Sequence, residues 1–421
     1  MNTTPNNPKR AAAVEIVGVL RERGFKAYLA GGCVRDELLG LAPKDYDVAT
    51  DARPEIVRSF FRYTSAIGAA FGVILIHPER GSQADAIEVA TFREDGEYSD
   101  RRRPDEVRFS TPEADAQRRD FTINALFLDP FESRVIDFVG GRADLEAKLI
   151  RAVGTPADRL AEDHLRALRA VRFASRLGFA IDRATLDAIR EHASELSGVS
   201  RERIGEEVRK MLIHPNRSEA IAWMTKLGLD APVLNEPSRD QRPTPTVDGL
   251  ASRTAYPTAL VAWAIDRFGR TPATDRATLA EVVKRWRAAL LLTNDERDDL
   301  RTTLKTIASL AEGWGELGVA GRKRLASSRC FAGAFEVFGA VEAARAREIG
   351  SAVDALDADG VGLSPVPLLD GDDLISLGLE PGPVFAELLD QVYDAQLEGG
   401  ISTKQDGIRL ITELTKDRRV E

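Results

Sequence analysis

The sequence lacks the marks of several large protein classes. It has no apolar run long enough to cross a bilayer, so we expect no transmembrane helix. The polar stretch Met1–Lys9 has no apolar core of a secretion signal. The two cysteines, Cys33 and Cys330, provide neither a disulfide framework nor the spacing of a metal site. These absences favour a reducing, cytoplasmic compartment.

Two nucleotide-binding signatures are also missing. No Gly-x-Gly-x-x-Gly follows a predicted strand and no Gly-Lys-Ser/Thr loop occurs, so dinucleotide-binding and P-loop enzymes are disfavoured. The four histidines, His77, His164, His192 and His214, form no close pair. We therefore expect no metal phosphohydrolase domain of the His-Asp type.

Composition indicates a soluble globular protein with two or more domains. The chain has 421 residues, of which 43% are hydrophobic and 30% charged. Its net charge of −9 argues weakly against a nucleic-acid partner. Arginines are nevertheless concentrated in short stretches, at residues 101–103, 118–119 and 166–176. A basic groove on an acidic body is one reading of them, and solvated helix faces are the commoner one.

Two aspartates separated by one residue are the first candidates for chemistry. Asp45 and Asp47 lie on what reads as a strand over residues 45–49, where positions i and i+2 share a face. Two adjacent carboxylates repel each other unless a cation lies between them. Hard oxygen ligands in a partly open site suit Mg²⁺ that carries a nucleoside triphosphate.

A glycine turn upstream fits the same chemistry. Residues 29–36 read LAGGCVRD, a strand that runs through Gly31 and Gly32 into a short helix. Glycines allow the backbone to approach a ligand closely, and a helix N-terminus offers free N–H groups to phosphate. Arg35, one turn into the helix, is within reach of the same phosphates.

The rest of the chain divides into a mixed α/β part and a helical part. We predict a leading helix over residues 10–23, strands over 26–30, 71–77 and 85–92, and a helix that opens at Pro54. From about Thr155, where a hydroxyl and a proline predict a capped helix start, strand signals disappear. Residues 235–257 are rich in proline, threonine and charge and read as a loop or linker.

The glycine turn with its acidic couple resembles the nucleotidyltransferases of the polymerase-β superfamily. Continued downstream, the chain resembles class II tRNA nucleotidyltransferases, the CCA-adding and A-adding enzymes, and bacterial poly(A) polymerases. The resemblance implies an α/β N-terminal nucleotidyltransferase head with a mixed sheet and flanking helices, followed by an all-α neck, body and tail. We expect the head over residues 1–150, a base-selecting neck over 151–235, a linker or loop over 236–257, and a tRNA-binding body and tail over 258–421.

The octet RRDFTINA at residues 118–125 closely matches the family motif RRDFT-x-N-A. Apolar residues in it recur at helical offsets. The resemblance implies that Arg119 contacts the triphosphate or sugar, and that Asp120 and Asn124 hold the local network.

Two further features of the head follow from the resemblance. It places Glu88, an acid within an apolar strand, at the third catalytic position, whereas an edge-strand charge facing water is the alternative. Residues 91–104 are polar and charged and resemble the flexible loop that acts when specificity changes from C to A. A disordered hairpin tip is the alternative there.

A helix predicted over residues 161–173 contains Glu162, Asp163 and Arg166. A carboxylate accepts from the exocyclic amine of cytosine or adenine, and a guanidinium donates to the adjacent ring nitrogen. Uracil and guanine present a carbonyl oxygen to that carboxylate and are rejected. The resemblance maps Asp163 and Arg166 onto this base-selecting pair, and Arg169 and Arg172 onto further nucleotide contacts. The plainer account makes Glu162–Arg166 and Asp163–Arg166 ordinary helix ion pairs.

We therefore expect Mg²⁺-dependent addition of CCA, or of its terminal A, to tRNA from CTP and ATP without a nucleic-acid template. No membrane and no obligatory protein partner is expected. A bacterial poly(A) polymerase is the runner-up, although the chain lacks the strongly basic C-terminus that those enzymes tend to carry. A catalytically inactive RNA-binding protein is disfavoured because it has no use for a metal-binding pair.

Overall fold

The computed structural model describes residues 7–66, 72–77, 86–95, 107–269 and 272–417. The chain forms two compact units. The first runs to Met211 and takes in Glu219–Asp240, and the second consists of Leu212–Ser218 and the chain from Gln241 onward. The four-part division expected from the sequence is finer and stays a prediction. No helix within the described ranges is both long and apolar enough to span a bilayer.

The first unit is built on a mixed sheet, as predicted. The first nine strands are β1 (Ala27–Ala30), β2 (Asp47–Thr50), β3 (Thr64–Ser65), β4 (Val73–Ile76), β5 (Ile87–Thr91), β6 (Arg93–Asp95), β7 (Val107–Phe109), β8 (Phe127–Asp129) and β9 (Arg134–Ile136). Seven of them form one sheet in the order β3-β4-β5-β2-β1-β8-β9. Within it β2 and β5 are parallel and the other neighbours antiparallel. Strands β6 and β7 form a separate antiparallel pair, in which β6 lies within the predicted flexible loop and β7 follows it. Residues 96–104 of that loop lie outside the described residues.

Five short helices accompany the sheet. They are α1 (Pro8–Glu22), α2 (Gly32–Leu38), α3 (Pro54–Phe60), α4 (Pro112–Gln117) and α5 (Gly141–Glu146). The predicted leading helix is confirmed as α1, which buries Ala13, Ile16, Val17 and Leu20 at helical spacing. The side chain of Asn7 accepts hydrogen bonds from the first backbone N–H groups of α1 and so caps it.

An aromatic cluster lies directly behind the predicted site. Phe92 and Phe127 meet edge to face with ring centroids 5.8 Å apart, and both are fully buried. They pack with Ala30 of β1 and Ala49 of β2. Burying each ring contributes about 1.5–3 kcal/mol to the stability of the fold. The strand ends that carry the site therefore pack on a well-stabilised core.

The segment after the head is helical, with one short exception. Its helices are α6 (Pro156–Glu162), α7 (Arg166–Leu177), α8 (Arg183–Glu191), α9 (Arg201–Leu212), α10 (Arg217–Lys226) and α11 (Asp230–Leu234). A 3₁₀ turn covers Ala193–Gly198. Strands β10 (Leu149–Ile150) and β11 (Ala180–Ile181) form a parallel pair. The prediction that strands end before Thr155 is therefore wrong at β11.

Two details of the predicted neck helices are also wrong. The helix expected over residues 161–173 is interrupted, because α6 ends at Glu162 and Asp163 has extended backbone angles (φ −152°, ψ 99°). Thr155 precedes α6 as expected, but its hydroxyl makes no capping hydrogen bond.

The second unit is all-helical among its described residues. It contains α12 (Pro245–Asp248), α13 (Tyr256–Phe268), α14 (Pro272–Leu290), α15 (Asn294–Ala308), α16 (Val319–Ala326), α17 (Phe331–Val341), α18 (Ala343–Asp357), α19 (Gly371–Ser376), α20 (Pro383–Leu397) and α21 (Lys404–Asp417). Helix α12 lies inside the expected linker. The carboxylate of Asp266, on α13, accepts from the backbone N–H groups of Thr246 and Val247 at 3.1 and 3.0 Å. These two hydrogen bonds cap the N-terminus of α12. The sequence around α12 does not predict them, because Asp266 lies about 20 residues away.

Candidate active site

The register of the central strands gathers the predicted head residues at one edge of the sheet. Asp47 pairs with Ala30 of β1 on one side and with Glu88 of β5 on the other. Gly31 follows Ala30 directly, so the glycine turn, Asp47 and Glu88 lie on three adjacent strands. The family resemblance placed Glu88 with the aspartates, and the parallel β2–β5 pairing brings it beside Asp47.

The carboxylate of Asp47 is disturbed by its burial and by the acids around it. Burial, together with the negative charges of Glu88 and Asp45, raises the pKa of Asp47 to about 6, although Arg119 opposes this. Glu88 lies on the exposed face of β5 between buried Ile87 and Val89, and partial desolvation raises its pKa although the charge of Arg93 opposes this. Acids whose ionised forms are disfavoured in this way are suited to hold a cation.

Asp45 does not lie where the strand pattern put it. Strand β2 begins at Asp47, so the argument that positions 45 and 47 share one face of a strand is wrong for Asp45. Its side chain is 78% exposed and its Oδ1 lies 3.0 Å from Nζ of Lys9. Its charge still reaches Asp47, whose pKa it raises.

The glycine turn is closed around an arginine. Gly31 has φ +76°, and a Cβ at this position would lie 2.9 Å from Nη1 of Arg119. That nitrogen donates to the backbone oxygen of Asn124 at 3.0 Å, while the rest of the guanidinium bonds Asp115. The positive φ favours glycine, a Cβ would in addition press against the end of the Arg119 side chain, and Gly32 then begins α2.

Arg35 faces the protein interior. It is 2% exposed, and its guanidinium donates to Asp36 at 2.7 and 2.9 Å and to Oδ1 of Asn124 at 2.5 Å. Burial lowers its pKa, which the charge of Asp36 partly offsets. In this arrangement Arg35 holds Asn124 in place, and a phosphate contact would require its guanidinium to turn outward.

Asp120 is the centre of a buried network, which agrees with its expected role. Its Oδ1 accepts from Nδ2 of Asn124 at 3.0 Å and from the Phe121 backbone at 2.8 Å. Its Oδ2 accepts from Nε and Nη2 of Arg169 at 2.8 and 2.5 Å. Burial opposes ionisation, but the Arg169 charge and these hydrogen bonds lower the pKa of Asp120 to about 2. The octet itself is not helical, because only a 3₁₀ turn forms at Thr122–Asn124.

The expected base-selecting pair is present but its two members bond elsewhere. Asp163 Oδ2 lies 2.6 Å from Nη2 of Arg203 on α9. Arg166 donates to Oε2 of Glu162 and to the backbone oxygen of Arg159, both at 2.6 Å. Of the two predicted helix ion pairs, Glu162–Arg166 is therefore confirmed. Asp163–Arg166 is not formed, since the break after α6 turns the carboxylate toward α9.

Three partners in this network were not found from the sequence. Asp115 binds both arginines of the octet, and its position three and four residues before them is a usable helix signal. Arg203 binds Asp163, and Glu207 binds Nε of Arg172 at 2.5 Å. Arg203 and Glu207 share a face of α9 at i,i+4 spacing, but nothing local indicates which face meets α7.

The histidine prediction is wrong for two residues. His164 and His192 approach with ring centroids 5.9 Å apart. Among the described residues they form, with Glu195, one group of three side chains whose ligand atoms all lie within 4.8 Å. The sequence separation of 28 positions hides this tertiary association.

Comparison with known proteins identifies the same regions. Residues 27–151 match the family model described as the poly A polymerase head domain, and residues 178–240 match the one described as a probable RNA and SrmB-binding site of polymerase A. The chain is 33% identical over 411 residues to a CCA-adding enzyme of Limosilactobacillus fermentum, an alignment that covers 92% of each protein.

Other relatives align over a shorter range. A CCA-adding enzyme of Geobacillus kaustophilus is 42% identical over 226 residues, so that the chain spans about half of its length, 54%. The crystal structure of the Bacillus stearothermophilus CCA-adding enzyme in complex with CTP is similar with a TM-score of 0.74 at 26% identity, and it covers 99% of this chain and 100% of that one. The fold of the Thermotoga maritima CCA-adding enzyme complexed with tRNA is also similar, with a TM-score of 0.63 at 21% identity and coverage of 98% and 97%.

Proposed function

The chain belongs to the family of CCA-adding enzymes, and from this premise we propose that it adds cytidine and adenosine nucleotides to the 3′ end of tRNA. It is a nucleotidyltransferase, and CTP and ATP are its proposed substrates. The observation that carries the proposal is the alignment of the Gly31 turn, Asp47 and Glu88 on three adjacent strands. Nucleotidyl transfer requires backbone that can approach the phosphates and paired carboxylates that can hold a metal ion, and both must lie at the same place.

Mg²⁺ is the proposed metal, and Asp45 and Asp47 are the residues proposed to hold it, with Glu88 beside them. The donor set fits, because all three are hard oxygen ligands and the pKa of Asp47 is raised in the absence of a cation. When bound, Mg²⁺ makes the attacking 3′-hydroxyl more acidic and offsets the charge on the leaving pyrophosphate. To bind the ion, Asp45 must give up its ion pair with Lys9, and the exposed position of its side chain permits this.

The remaining residues of the head position the triphosphate. Arg119 lies at the glycine turn with its guanidinium partly exposed, so it is the proposed contact to triphosphate or sugar. Asp120, Asn124 and Arg35 hold that segment rigid from behind. The catalytic gain then comes from positioning and electrostatics, and no covalent enzyme intermediate is needed.

Base selection is proposed to be an exchange of partners at Asp163 and Arg166. Each is already ion-paired, Asp163 with Arg203 and Arg166 with Glu162. The Watson–Crick edge of cytosine or adenine offers an amine to the carboxylate and a ring nitrogen to the guanidinium. Uracil and guanine would place a carbonyl oxygen against the carboxylate of Asp163. Asp163 would then lose its bond to Arg203 without gaining a hydrogen bond from the base. Arg169 and Arg172 are proposed to support the base from α7.

The compartment is proposed to be the cytoplasm. Cys33 and Cys330 are both free thiols, and Cys33 is buried. A reducing environment is the one in which such thiols persist.

One extension assay tests the activity and separates it from the alternatives. Purified protein receives tRNAs that lack three, two or one of the terminal CCA nucleotides, with CTP or ATP supplied singly and together. A CCA-adding enzyme completes all three, an A-adding enzyme extends only the last, and a poly(A) polymerase adds long adenylate tails without regard to the tRNA end. No extension of any RNA would overturn the proposal.

A further inference from the structure

A second group of metal-ligating side chains lies in the neck, apart from the carboxylates of the head. His164 is in the connection between α6 and α7, His192 follows the last residue of α8, and Glu195 is in the 3₁₀ turn after it. One ligand atom from each lies within 4.8 Å of the others. Three separate segments of backbone therefore converge on one point.

Two distances within this trio are already close to those between neighbouring ligands of a metal ion, although each histidine meets a different oxygen of Glu195. Nε2 of His164 lies 3.1 Å from Oε2 of Glu195, and Nδ1 of His192 lies 3.0 Å from Oε1. Metal bonds of about 2.0–2.1 Å in a tetrahedral site place neighbouring ligand atoms roughly 3.3 Å apart. Small movements of side chains that are already adjacent would complete such a site.

Burial is graded across the trio. The side chain of His164 is 3% exposed, that of His192 18% and that of Glu195 38%. The exposed side of the trio, at Glu195, is where an ion would enter and where a water molecule would serve as fourth ligand. Two histidines, one glutamate and an open position form a ligand set that Zn²⁺ uses in proteins.

We propose that His164, His192 and Glu195 bind a divalent transition-metal ion of the Zn²⁺ class. Imidazole nitrogen suits Zn²⁺ and related ions, whereas Mg²⁺ prefers oxygen ligands, so this site is chemically distinct from that of the head. The ion would tie the start of α7 to the corner after α8. Because His164 directly follows Asp163, it would also restrain the backbone of the base-reading residue, a consequence that rests on the proposed function while the metal site itself does not.

A zinc titration of the full-length protein tests the site. Protein stripped with a chelator is titrated with Zn²⁺ against a chromophoric competitor, with millimolar Mg²⁺ present throughout. The variants His192→Gln and Glu195→Gln each remove one partly exposed ligand. His214→Gln, a histidine of the second unit, is the matched control.

We expect one equivalent of Zn²⁺ to bind wild type and His214→Gln, and affinity to fall at least about 10–100-fold in the two ligand variants, as even loss of a supporting group commonly does. Zn²⁺ should also raise the melting temperature of wild type and control but not of the variants, and Co²⁺ should give the absorption bands of a tetrahedral site in the first two only.

Absence of stoichiometric binding to wild type would mean that the trio is held by hydrogen bonds alone, and it would overturn the proposal. Equal binding by His192→Gln and Glu195→Gln would place the ion elsewhere and overturn it as well. Since transfer activity is not a readout, these outcomes do not depend on the proposed function.

Discussion

Replacing Asp47 by asparagine should abolish nucleotide transfer and, in metal-free protein, increase stability at neutral pH. The isosteric amide keeps the shape of the side chain but cannot hold a charge beside Glu88. Burial, with the charges of Glu88 and Asp45, raises the pKa of Asp47 from 3.8 to about 6. At 1.36 kcal/mol per pKa unit, ionised Asp47 costs the folded state roughly 3 kcal/mol when no cation is present.

The size of this stabilisation depends on pH. The pKa of folded Asp47 is above its unfolded value, so the folded state retains the proton between pH 3.8 and about 6. Below that window both states are protonated and the penalty is absent. Above it both states are ionised and the full penalty applies. The stability gained by Asp47→Asn should therefore be near zero at pH 4 and reach at most about 3 kcal/mol at pH 7.5.

Urea unfolding in EDTA at the two pH values measures this difference. Asp45→Asn is the matched control: that side chain is 78% exposed, so its stability should stay within about 0.5 kcal/mol of wild type at both pH values. Adding Mg²⁺ should stabilise wild type and leave Asp47→Asn unchanged. A variant no more stable than wild type at pH 7.5, or stabilised equally at pH 4, would refute the reasoning. Full transfer activity in Asp47→Asn would refute the metal assignment.

Three other substitutions test separate parts of the site. Gly31→Ala, at φ +76° and with its Cβ 2.9 Å from Arg119 Nη1, should lower the unfolding free energy by about 1–3 kcal/mol and reduce transfer; an unchanged urea midpoint would contradict the close-packing argument. Asp163→Ala should raise incorporation of UTP and GTP relative to CTP and ATP in single-nucleotide extension, with little change in tRNA affinity, and unaltered fidelity would exclude Asp163 as a base reader. Asp120→Asn should cost about 1.5–3 kcal/mol because it removes the charged partner of Arg169, whose side chain is only partly exposed. The pKa of folded Asp120 is lowered from 3.8 to about 2, so its stabilisation is complete above pH 3.8 and is lost as the pH falls toward 2; if the variant and wild type lost stability equally over that range, the pairing would not be the cause.

Local sequence predicted the head because its signals act over short distances. A strand, two glycines and a helix lie within residues 27–38, and the structure has them as β1, the Gly31 turn and α2. The family resemblance placed Glu88 at the site, and the parallel pairing of Asp47 with Glu88 brings the two residues together. The position of Asp45 was not predicted, because strand pattern does not show that β2 begins two residues later and that Lys9 holds the exposed carboxylate.

Interactions between distant segments account for what the sequence analysis missed. Periodicity favours one helix through residues 161–173, yet Asp163 leaves the helix and bonds Arg203, forty positions away. His164 and His192 meet for the same reason, since α8 packs against α6 and His164 lies in the connection that follows α6. Such pairs become visible only when the packing of α7 against its neighbours is known.

The arginines of α7 show how an acidic chain accommodates so many basic residues. They were read as one side of a basic groove or as a solvated face, and in the structure each is paired with a carboxylate. Arg166 binds Glu162, Arg169 binds Asp120, Arg172 binds Glu207 and Arg176 binds Asp36. Two of these carboxylates belong to the head, so the row joins α7 to the proposed nucleotide site and offers little free positive charge. A nucleotide bound there, as proposed, would have to exchange partners with these ion pairs, and discrimination would then come from which base compensates for the pairs that it breaks.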